Sequence, residues 1–157
     1  MKALKLPLAG SCRCGQVKVE ITASPVMTAA CHCLGCQRMS ASAFSLTAIM
    51  PSAAFQVTEG EPVIGGLHGD DLHHYHCPWC KTWMFTRADV MQGFVNVRPS
   101  LLEDRAWFSP FIETMTRDKL PWARTPAGIR DWSIGGRRSV TLMPSSGWRS
   151  GGAGPGC

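Results

Sequence analysis

The chain gathers its metal-ligating side chains into three tight cysteine clusters. Seven of its eight cysteines are separated from a neighbouring cysteine by one or two residues, and the clusters are Cys12 and Cys14, then Cys31, Cys33 and Cys36, then Cys77 and Cys80. Two thiolates from one turn can bind the same zinc ion, and a second turn elsewhere in the chain completes the tetrahedron. The spacing therefore predicts zinc chemistry.

Seven sulfurs do not make two closed four-ligand sites, but they divide into four and three. The Cys-x-Cys pair at 12 and the Cys-x-x-Cys pair at 77 can form one closed, structural site. The middle cluster leaves a fourth position for a water or a substrate thiolate, as catalytic zinc sites do. We therefore expect two zinc ions per chain, a structural one at Cys12, Cys14, Cys77 and Cys80 and a catalytic one at Cys31, Cys33 and Cys36.

Other interpretations of the clusters stay open at this point. Disulfides are disfavoured because a Cys-x-Cys pair makes a strained bridge and no secretion signal is expected here. Burial of all seven as reduced core cysteines is disfavoured by their spacing. A thioredoxin-like role for Cys77-Pro-Trp-Cys80 needs a helix that begins at Cys77, whereas both flanks alternate like strands. Finally, His32 or a distant histidine could close the middle site.

Composition bounds the class of protein. The 157 residues suit one domain, with 45% hydrophobic and 17% charged residues. The formal charge is +5 at pH 7, but two zinc–thiolate centres would lower it by about three units, so nucleic acid is not favoured as a partner. No apolar run reaches the roughly 18 residues of a membrane span. The start "MKALKLPLAGSC" does not match a lipoprotein signal, because Lys5 interrupts it. We expect a cytoplasmic protein.

Short strands are predicted around the clusters. Val17, Val19 and Ile21 alternate with charged residues, which is the period of a half-buried strand. Further strands are predicted at 43–50, within 51–62, at 72–76, at 83–87 and at 93–98, and one helical turn at 101–108. No long helical period occurs, so the fold class is mainly β.

The chain also divides into a folded part and a tail. We expect one zinc-binding domain over residues 1–143 and a disordered tail over 144–157. Ten of the last fourteen residues are Gly, Ser or Pro, and such a segment buries too little surface to offset its ordering entropy. Cys157 then has no expected role.

Six stretches occur in an order that is familiar. They are "GSCRCGQVKVEI", "CHCLGCQRMSASAF", "FQVTEGEP", "YHCPWCKTWMF", "VNVRPSLLED" and "LPWA", spread over about residues 9 to 123. Together they resemble the glutathione-dependent formaldehyde-activating enzyme family, which also includes centromere protein V. The resemblance is specific because three cysteine clusters in this order and separation rarely arise by chance.

The resemblance implies a fold and an activity. The fold is a β-tent of twisted antiparallel sheets with zinc-ribbon-like knuckles, and the two zinc sites divide the cysteines four and three, as above. The activity is that of a zinc-dependent carbon–sulfur lyase acting on S-(hydroxymethyl)glutathione, which forms from glutathione and formaldehyde, or on a related thiol adduct. A glutathione sulfur beside the open zinc would be an ionised, positioned nucleophile. Partners would be a small thiol and a small aldehyde, with no membrane.

Two positions depart from the family's pattern. The family usually has glycine after the last cluster cysteine, where this chain has Lys81, and in the turn after the middle cluster, where it has Ala41. Glycine at such turns often supplies a positive φ, which other residues adopt at a cost of about 1–2 kcal/mol. The shape of the pocket beside Arg38 and Ala41 depends on how these residues are accommodated.

Candidates for substrate contact follow from proximity to the clusters. Glutathione carries two carboxylates, so we predict that Arg38 binds substrate, with Lys81 and Arg13 as the next candidates. His74 and His76 share a strand face and are candidates for hydrogen bonds to zinc sulfurs. Trp79 is expected to cap the closed site from the core.

A second class of function is a non-catalytic zinc module that binds protein or chromatin. A chromatin binder should carry a dense basic stretch. Here the cations are scattered, and the densest patch is the pair in "GGRRS" at 135–139. The sequence therefore favours the enzyme over the binding module.

Overall fold

Short strands dominate the protein. A computed structural model describes residues 3–65 and 71–127. In them the strands are β1 (Leu8–Ser11), β2 (Lys18–Ile21), β3 (Met27–Cys31), β4 (Ser45–Pro51), β5 (Phe55–Glu59), β6 (Val63–Ile64), β7 (Leu72–His76), β8 (Trp83–Ala88), β9 (Phe94–Val97) and β10 (Ile112–Thr114). Helix α1 spans Leu34–Ser40, and single 3₁₀ turns lie at Ser52–Ala54, Asp89–Met91, Pro99–Leu101 and Thr116–Asp118.

Two twisted sheets form the architecture. The smaller has the order β1-β2-β5, and the larger has the order β10-β3-β4-β9-β8-β7-β6. Neighbouring strands are antiparallel except β10 and β3, which run parallel. The mainly β class predicted from the short strands is confirmed.

The core lies between the two sheets. Val17, Val19 and Ile21 are buried, so the alternation marked both the strand and its inner face. Phe85 of the larger sheet packs edge-on against Phe55 of the smaller sheet, with ring centroids 4.9 Å apart. Aromatic pairs of this kind add about 0.5–1.5 kcal/mol beyond their buried area.

A glycine lets the first strand approach the turn after β9. Gly10 forms a bridge with Leu102, and a Cβ at this position would lie 2.7 Å from the carbonyl oxygen of Leu101. Any larger residue would push the backbones apart. The glycine therefore fixes the strand that leads into Cys12 against the segment that follows Arg98.

Most predicted strands are found, and one predicted turn is misplaced. The stretches at 43–50, 51–62, 72–76, 83–87 and 93–98 contain β4, β5, β7, β8 and β9. The helical turn predicted at 101–108 is wrong. It begins earlier, at Pro99, because proline presets the φ of a first helical position. The following residues bend instead, with the Ala106 amide donating to the Asp104 side chain at 3.0 Å.

Some expectations fall outside this description. The boundary at residue 143, the tail 144–157, Cys157 and the basic pair at 135–139 lie outside the described residues. Within residues 3–65 and 71–127, no helix has the length and apolar character that crossing a membrane requires.

Candidate metal centres

Four cysteines converge between the two sheets. The sulfurs of Cys12, Cys14, Cys77 and Cys80 all lie within 4.8 Å of one another. The Cys12 and Cys14 sulfurs are 3.5 Å apart, and the Cys14 and Cys77 sulfurs are 3.7 Å apart. A tetrahedral zinc with bonds of about 2.3 Å places its sulfurs about 3.8 Å apart. The donor set and its spacing therefore fit one closed zinc site.

The first pair of ligands is carried by a tight turn between β1 and β2. The Cys12 amide donates to the Val17 carbonyl at 2.9 Å, and the Gly15 amide donates to the Cys12 carbonyl at 3.0 Å. Gly15 has a φ of +79°, which glycine adopts without strain. The Val17 amide donates to the Cys12 sulfur at 3.3 Å. This turn thus positions the sulfur and gives it a hydrogen bond.

The second pair is carried by an equivalent turn between β7 and β8. The Cys77 amide donates to the Thr82 carbonyl at 3.0 Å, and the Lys81 amide donates to the Cys77 carbonyl at 3.1 Å. Residues 77–80 form a turn and not a helix. The thioredoxin-like interpretation needs a helix beginning at Cys77, so it does not apply.

Thr82 joins the two turns. Its hydroxyl accepts from the Arg13 amide at 3.2 Å and lies 3.1 Å from the Cys80 sulfur, to which it can donate. Desolvation opposes ionisation of Cys80, but the hydrogen bonds from Thr82 and from the Cys14 backbone outweigh it and lower the pKa of Cys80 to about 5. Thr82 therefore favours the thiolate form of Cys80, which a metal requires.

The other three cysteines converge at the start of α1. Their sulfurs also lie within 4.8 Å of one another, and they belong to Cys31 at the end of β3, Cys33 before α1 and Cys36 in its first turn. Cys33 caps the helix, since its sulfur accepts from the Cys36 amide at 3.3 Å. Among the described residues, no histidine, aspartate or glutamate ligand atom joins these three sulfurs. The donor set fits a zinc ion with three protein ligands.

Contacts among these thiols separate their pKa values. Contacts from Cys33 and Cys36 lower the pKa of Cys31 to about 2, while contacts with Cys31 and Cys33 raise the pKa of Cys36. The thiol that ionises first is stabilised by hydrogen bonds from its neighbours, and its charge then opposes the ionisation of the other two. A divalent cation among them would favour all three thiolates together.

His32 is directed away from the sulfurs. Its ring is buried, and its Nε2 lies 3.3 Å from a carboxylate oxygen of Glu113. Lys119 and Thr125 also contact that carboxylate, at 2.6 Å and 2.8 Å. His32 therefore anchors the cysteine segment to β10 and is not grouped with the three sulfurs as a fourth ligand.

A cavity of about 350 Å³ adjoins the three-cysteine cluster, and its walls come from α1, β4, β8 and the segment after β9. Ser40 in its wall donates to the Cys36 carbonyl at 2.7 Å. Ser45, also in the wall, is paired with Cys31 across the strands. The cavity wall thus contains one residue that is hydrogen-bonded to the Cys36 backbone and one that is the strand partner of Cys31.

Arg98 is the cation in the wall of this cavity. It is 7% exposed, and its guanidinium carbon lies 4.0 Å from the ring centre of Trp83. Burial lowers the pKa of Arg98 to about 10, and the negative charges of Cys36 and Cys31 oppose that shift. Arg98 therefore stays protonated near neutral pH. Sequence proximity did not indicate it, because it lies far along the chain from the cluster.

The residues predicted to contact substrate are placed as follows. Arg38 lies in the last turn of α1 with an exposed side chain, and it is not part of the cavity wall. Arg13 and Lys81 are exposed on the turns of the four-cysteine site. The predicted role of Arg38 in substrate binding stays a prediction.

Trp79, His74 and His76 lie near the closed site, and Trp79 differs from expectation. Trp79 is 75% exposed, so the expectation that it caps the zinc from the core is wrong. The ring of His74 contacts the Thr86 hydroxyl at 2.9 Å, and the ring of His76 lies 3.2 Å from the His74 carbonyl. Both rings also pack on Trp83. These contacts direct the histidines toward Trp83.

Both positions where the resemblance led us to expect glycine have positive φ. Ala41 has a φ of 48° and Lys81 a φ of 58°. Ala41 ends α1 in a Schellman motif, because the Ala41 amide donates to the Arg38 carbonyl and the Ser42 amide to the Gln37 carbonyl. Glycine is the usual residue at this point of the motif. Both residues are therefore strained, and each lies beside a cysteine cluster.

Replacing Ala41 by Gly should stabilise the protein. The substitution removes one exposed Cβ from a left-handed residue and no contact of a longer side chain. We expect the free energy of unfolding to rise by about 1 kcal/mol, after the extra entropy of glycine in the unfolded chain is subtracted. Denaturant unfolding of the zinc-loaded protein measures it.

Ala53→Gly is the matched control. Ala53 is also exposed, but it lies in the 3₁₀ turn Ser52–Ala54 and is not among the residues with positive φ. Glycine there should lower the free energy of unfolding by roughly 0.5–1 kcal/mol. Equal effects at the two positions would mean that Ala41 is not strained.

A family profile and a curated relative match the chain. The profile of the family described as glutathione-dependent formaldehyde-activating enzyme matches residues 7–118. A Penicillium rubens protein named "Putative glutathione-dependent formaldehyde-activating enzyme" is 26% identical over 105 residues, which cover 63% of this chain and 55% of that protein. The chain thus spans about half the length of this curated relative.

A solved structure shares the fold. The crystal structure of a Rhodobacter sphaeroides protein from a structural genomics programme superposes with a TM-score of 0.52 at 19% sequence identity, covering 60% of this chain and 87% of that chain. At this identity the likeness concerns the fold. The family profile, in contrast, covers more than two thirds of the sequence, including all seven clustered cysteines. The chain therefore belongs to the glutathione-dependent formaldehyde-activating enzyme family.

Proposed function

We propose that the protein is a zinc-dependent carbon–sulfur lyase that joins glutathione and formaldehyde into S-(hydroxymethyl)glutathione and cleaves the same bond in reverse. The observation that carries this proposal is the three-cysteine cluster, which has no fourth protein ligand among the described residues and lies beside a cavity. Three protein ligands with one free position is the pattern of catalytic zinc. We take the identity of the thiol and the aldehyde, glutathione and formaldehyde, from the description of the family.

We also propose that the two clusters hold one zinc ion each and have different roles. The four-cysteine site would be structural, because its four sulfurs complete a tetrahedron and link the two sheets. All seven clustered cysteines are free of disulfides, as expected for metal ligands in a reducing compartment. A cytoplasmic location belongs to the same proposal.

The protein's part in the reaction is to hold the sulfurs and enclose the substrates. When bound, zinc would supply a position at which a thiol is held ionised near neutral pH. The cap of α1 and the strand β3 fix the three cysteine sulfurs relative to the cavity. Met39, Phe44 and Leu46 give the cavity wall an apolar part against which the substrates can pack. The gain would come mainly from proximity and from a thiolate already formed.

The bond changes are those of thiol addition to a carbonyl. The thiol of glutathione loses its proton to solvent, and its sulfur pair attacks the formaldehyde carbon. The carbon–sulfur bond forms as the carbonyl π pair moves to oxygen, which takes a proton from water. The product is the neutral hydroxymethyl thioether, and the reverse steps release both substrates.

Zinc-edge X-ray absorption tests whether a substrate thiol binds at the three-cysteine site. With both sites loaded, we expect the mean number of sulfur ligands per zinc to rise from about 3.5 to about 4 when glutathione is added. S-methylglutathione is the matched control, because it has the same peptide but no ionisable thiol, and it should leave the spectrum unchanged.

NMR exchange between free glutathione and its adduct, in the same sample, tests turnover. The zinc-loaded protein should accelerate exchange above the spontaneous rate. An unchanged spectrum together with unchanged exchange would contradict the proposal. A DNA-binding constant that falls steeply with salt concentration, as release of several counterions requires, would then favour the non-catalytic module.

A further inference from the structure

The guanidinium of Arg98 is held rigidly in the cavity wall. It lies over the Trp83 ring, and its Nη1 donates to the Leu46 carbonyl at 3.1 Å and approaches the Ser45 hydroxyl at 3.4 Å. Its Nη2 lies 3.4 Å from the Asn96 carbonyl. A guanidinium has five N–H groups, so these contacts leave donors on Nε and Nη2. Nε has no hydrogen-bond partner among the described residues.

This cation has no carboxylate partner in the described part of the chain. The ion pairs of residues 3–65 and 71–127 involve other cations, such as Lys18 and Lys119, and none of them includes Arg98. The negative charges near it are those of Cys36 and Cys31, which belong to the three-cysteine cluster. Arg98 is therefore a fixed, buried positive charge that can still pair with a carboxylate entering the cavity.

The rest of the wall suits a carboxylate attached to a short apolar chain. The hydroxyls of Ser42 and Ser100 line the cavity and can donate to an anion, and the wall contains no acidic side chain. Met39 and Phe44 add apolar surface. Ser45 links this wall to the metal centre, since it contacts Arg98 and is paired with Cys31. The guanidinium and the cysteine cluster therefore adjoin the same pair of strand residues, Ser45 and its partner Cys31, at one end of the cavity wall.

We propose that Arg98, supported by Trp83, binds a carboxylate of the thiol substrate and so makes the site specific for carboxylate-bearing thiols. This inference rests on the proposed function and adds the substrate class to it. The remaining Nη2 donor can form a charge-assisted hydrogen bond with a carboxylate, which positions the substrate as well as neutralising its charge.

Calorimetric titration of the zinc-loaded protein with glutathione and with glutathione diethyl ester, in the absence of aldehyde, tests the carboxylate site. The ester keeps the thiol and removes both carboxylate charges. We expect the wild type to bind glutathione about 10- to 100-fold more tightly than the ester, as a charge-assisted hydrogen bond allows. In Arg98→Met the preference should fall below about threefold, through weaker binding of glutathione alone.

Arg105→Met is the control, because Arg105 is an exposed arginine in the segment after the 3₁₀ turn Pro99–Leu101. This variant should keep the wild-type preference for the acid over the ester. A wild type that binds acid and ester equally would overturn the carboxylate site. Equal weakening of both by Arg98→Met would also overturn it, because Arg98 would then act on the cysteine thiolates. Loss of the preference in Arg38→Met, with Arg98→Met unaffected, would assign the carboxylate to Arg38.

Failure of the lyase proposal gives a different result. A protein that discriminates acid from ester through Arg98 but does not accelerate adduct exchange keeps the carboxylate site and is not a lyase. A protein that accelerates exchange equally with the acid and the ester is a lyase without this carboxylate site. Because binding and exchange are measured separately, each outcome counts against one proposal only.

Discussion

Replacing Cys77 by Ser should remove most of the stability of the domain. Cys77 is fully buried, and its sulfur lies 3.7 Å from that of Cys14, which belongs to the turn of the other sheet. Zinc binding at such sites has apparent free energies of about 10–16 kcal/mol in zinc-finger peptides, whereas whole domains are stable by only about 5–15 kcal/mol. Loss of even part of the metal's contribution should therefore leave little folded protein.

Circular dichroism and zinc analysis together check this prediction. Cys77→Ser should lose its cooperative thermal transition or show a much lower melting temperature, and it should retain less than one zinc per chain. Chelation of zinc from the wild type should have the same effect on the melting curve. A variant that melts within a few degrees of the wild type would show that the four-cysteine site does not hold the fold.

The sequence was most informative where ligand chemistry is local. The cysteines of each turn are one or two residues apart, so the spacing grouped the sulfurs within each turn. Dividing seven sulfurs into four and three then joined the two turns that the structure brings together. The sequence also indicated which two residues would replace a glycine at a strained turn position, because a turn of fixed type needs a positive φ at a fixed position. Ala41 and Lys81 both adopt it.

The cavity could not be predicted in the same way, because distant segments build it. Arg98 approaches Ser45 across 53 positions of sequence, through the pairing of β4 with β9. Nothing in the stretch "VRPS" distinguishes a buried arginine from an exposed one, so proximity to Cys36 favoured Arg38 instead. The parallel pairing of β10 with β3 was missed for a similar reason, since each strand is short and carries no alternating pattern.

Exposure was also misjudged where a motif suggested a core position. Trp79 lies between Cys77 and Cys80 of the four-cysteine site, and an aromatic residue there was expected to cover the proposed metal. In the structure the turn places Cys77 inside, whereas Trp79 is outside with 75% of its surface exposed. A large apolar residue in a tight turn follows the direction that the turn's hydrogen bonds dictate, and hydrophobicity alone does not determine it.

Replacing Cys33 by Ser should remove one zinc ion and leave the fold. Cys33 is the cap of α1, where its sulfur accepts from the Cys36 amide at 3.3 Å. Serine is among the best N-cap residues, so its hydroxyl can take over this hydrogen bond and the helix should persist. Serine is a poor zinc ligand at neutral pH because its hydroxyl stays protonated, and two cysteines are too few to hold the ion.

The expected results separate the two clusters. Cys33→Ser should retain about one zinc per chain and a melting temperature close to that of the wild type, while Cys77→Ser should not fold. Acceleration of adduct exchange should fall by more than about 100-fold, since even groups that only orient a metal ligand are worth about 10- to 100-fold. If Cys33→Ser unfolds as Cys77→Ser does, the three-cysteine site is structural as well. If it keeps full exchange activity, the reaction occurs elsewhere on the protein.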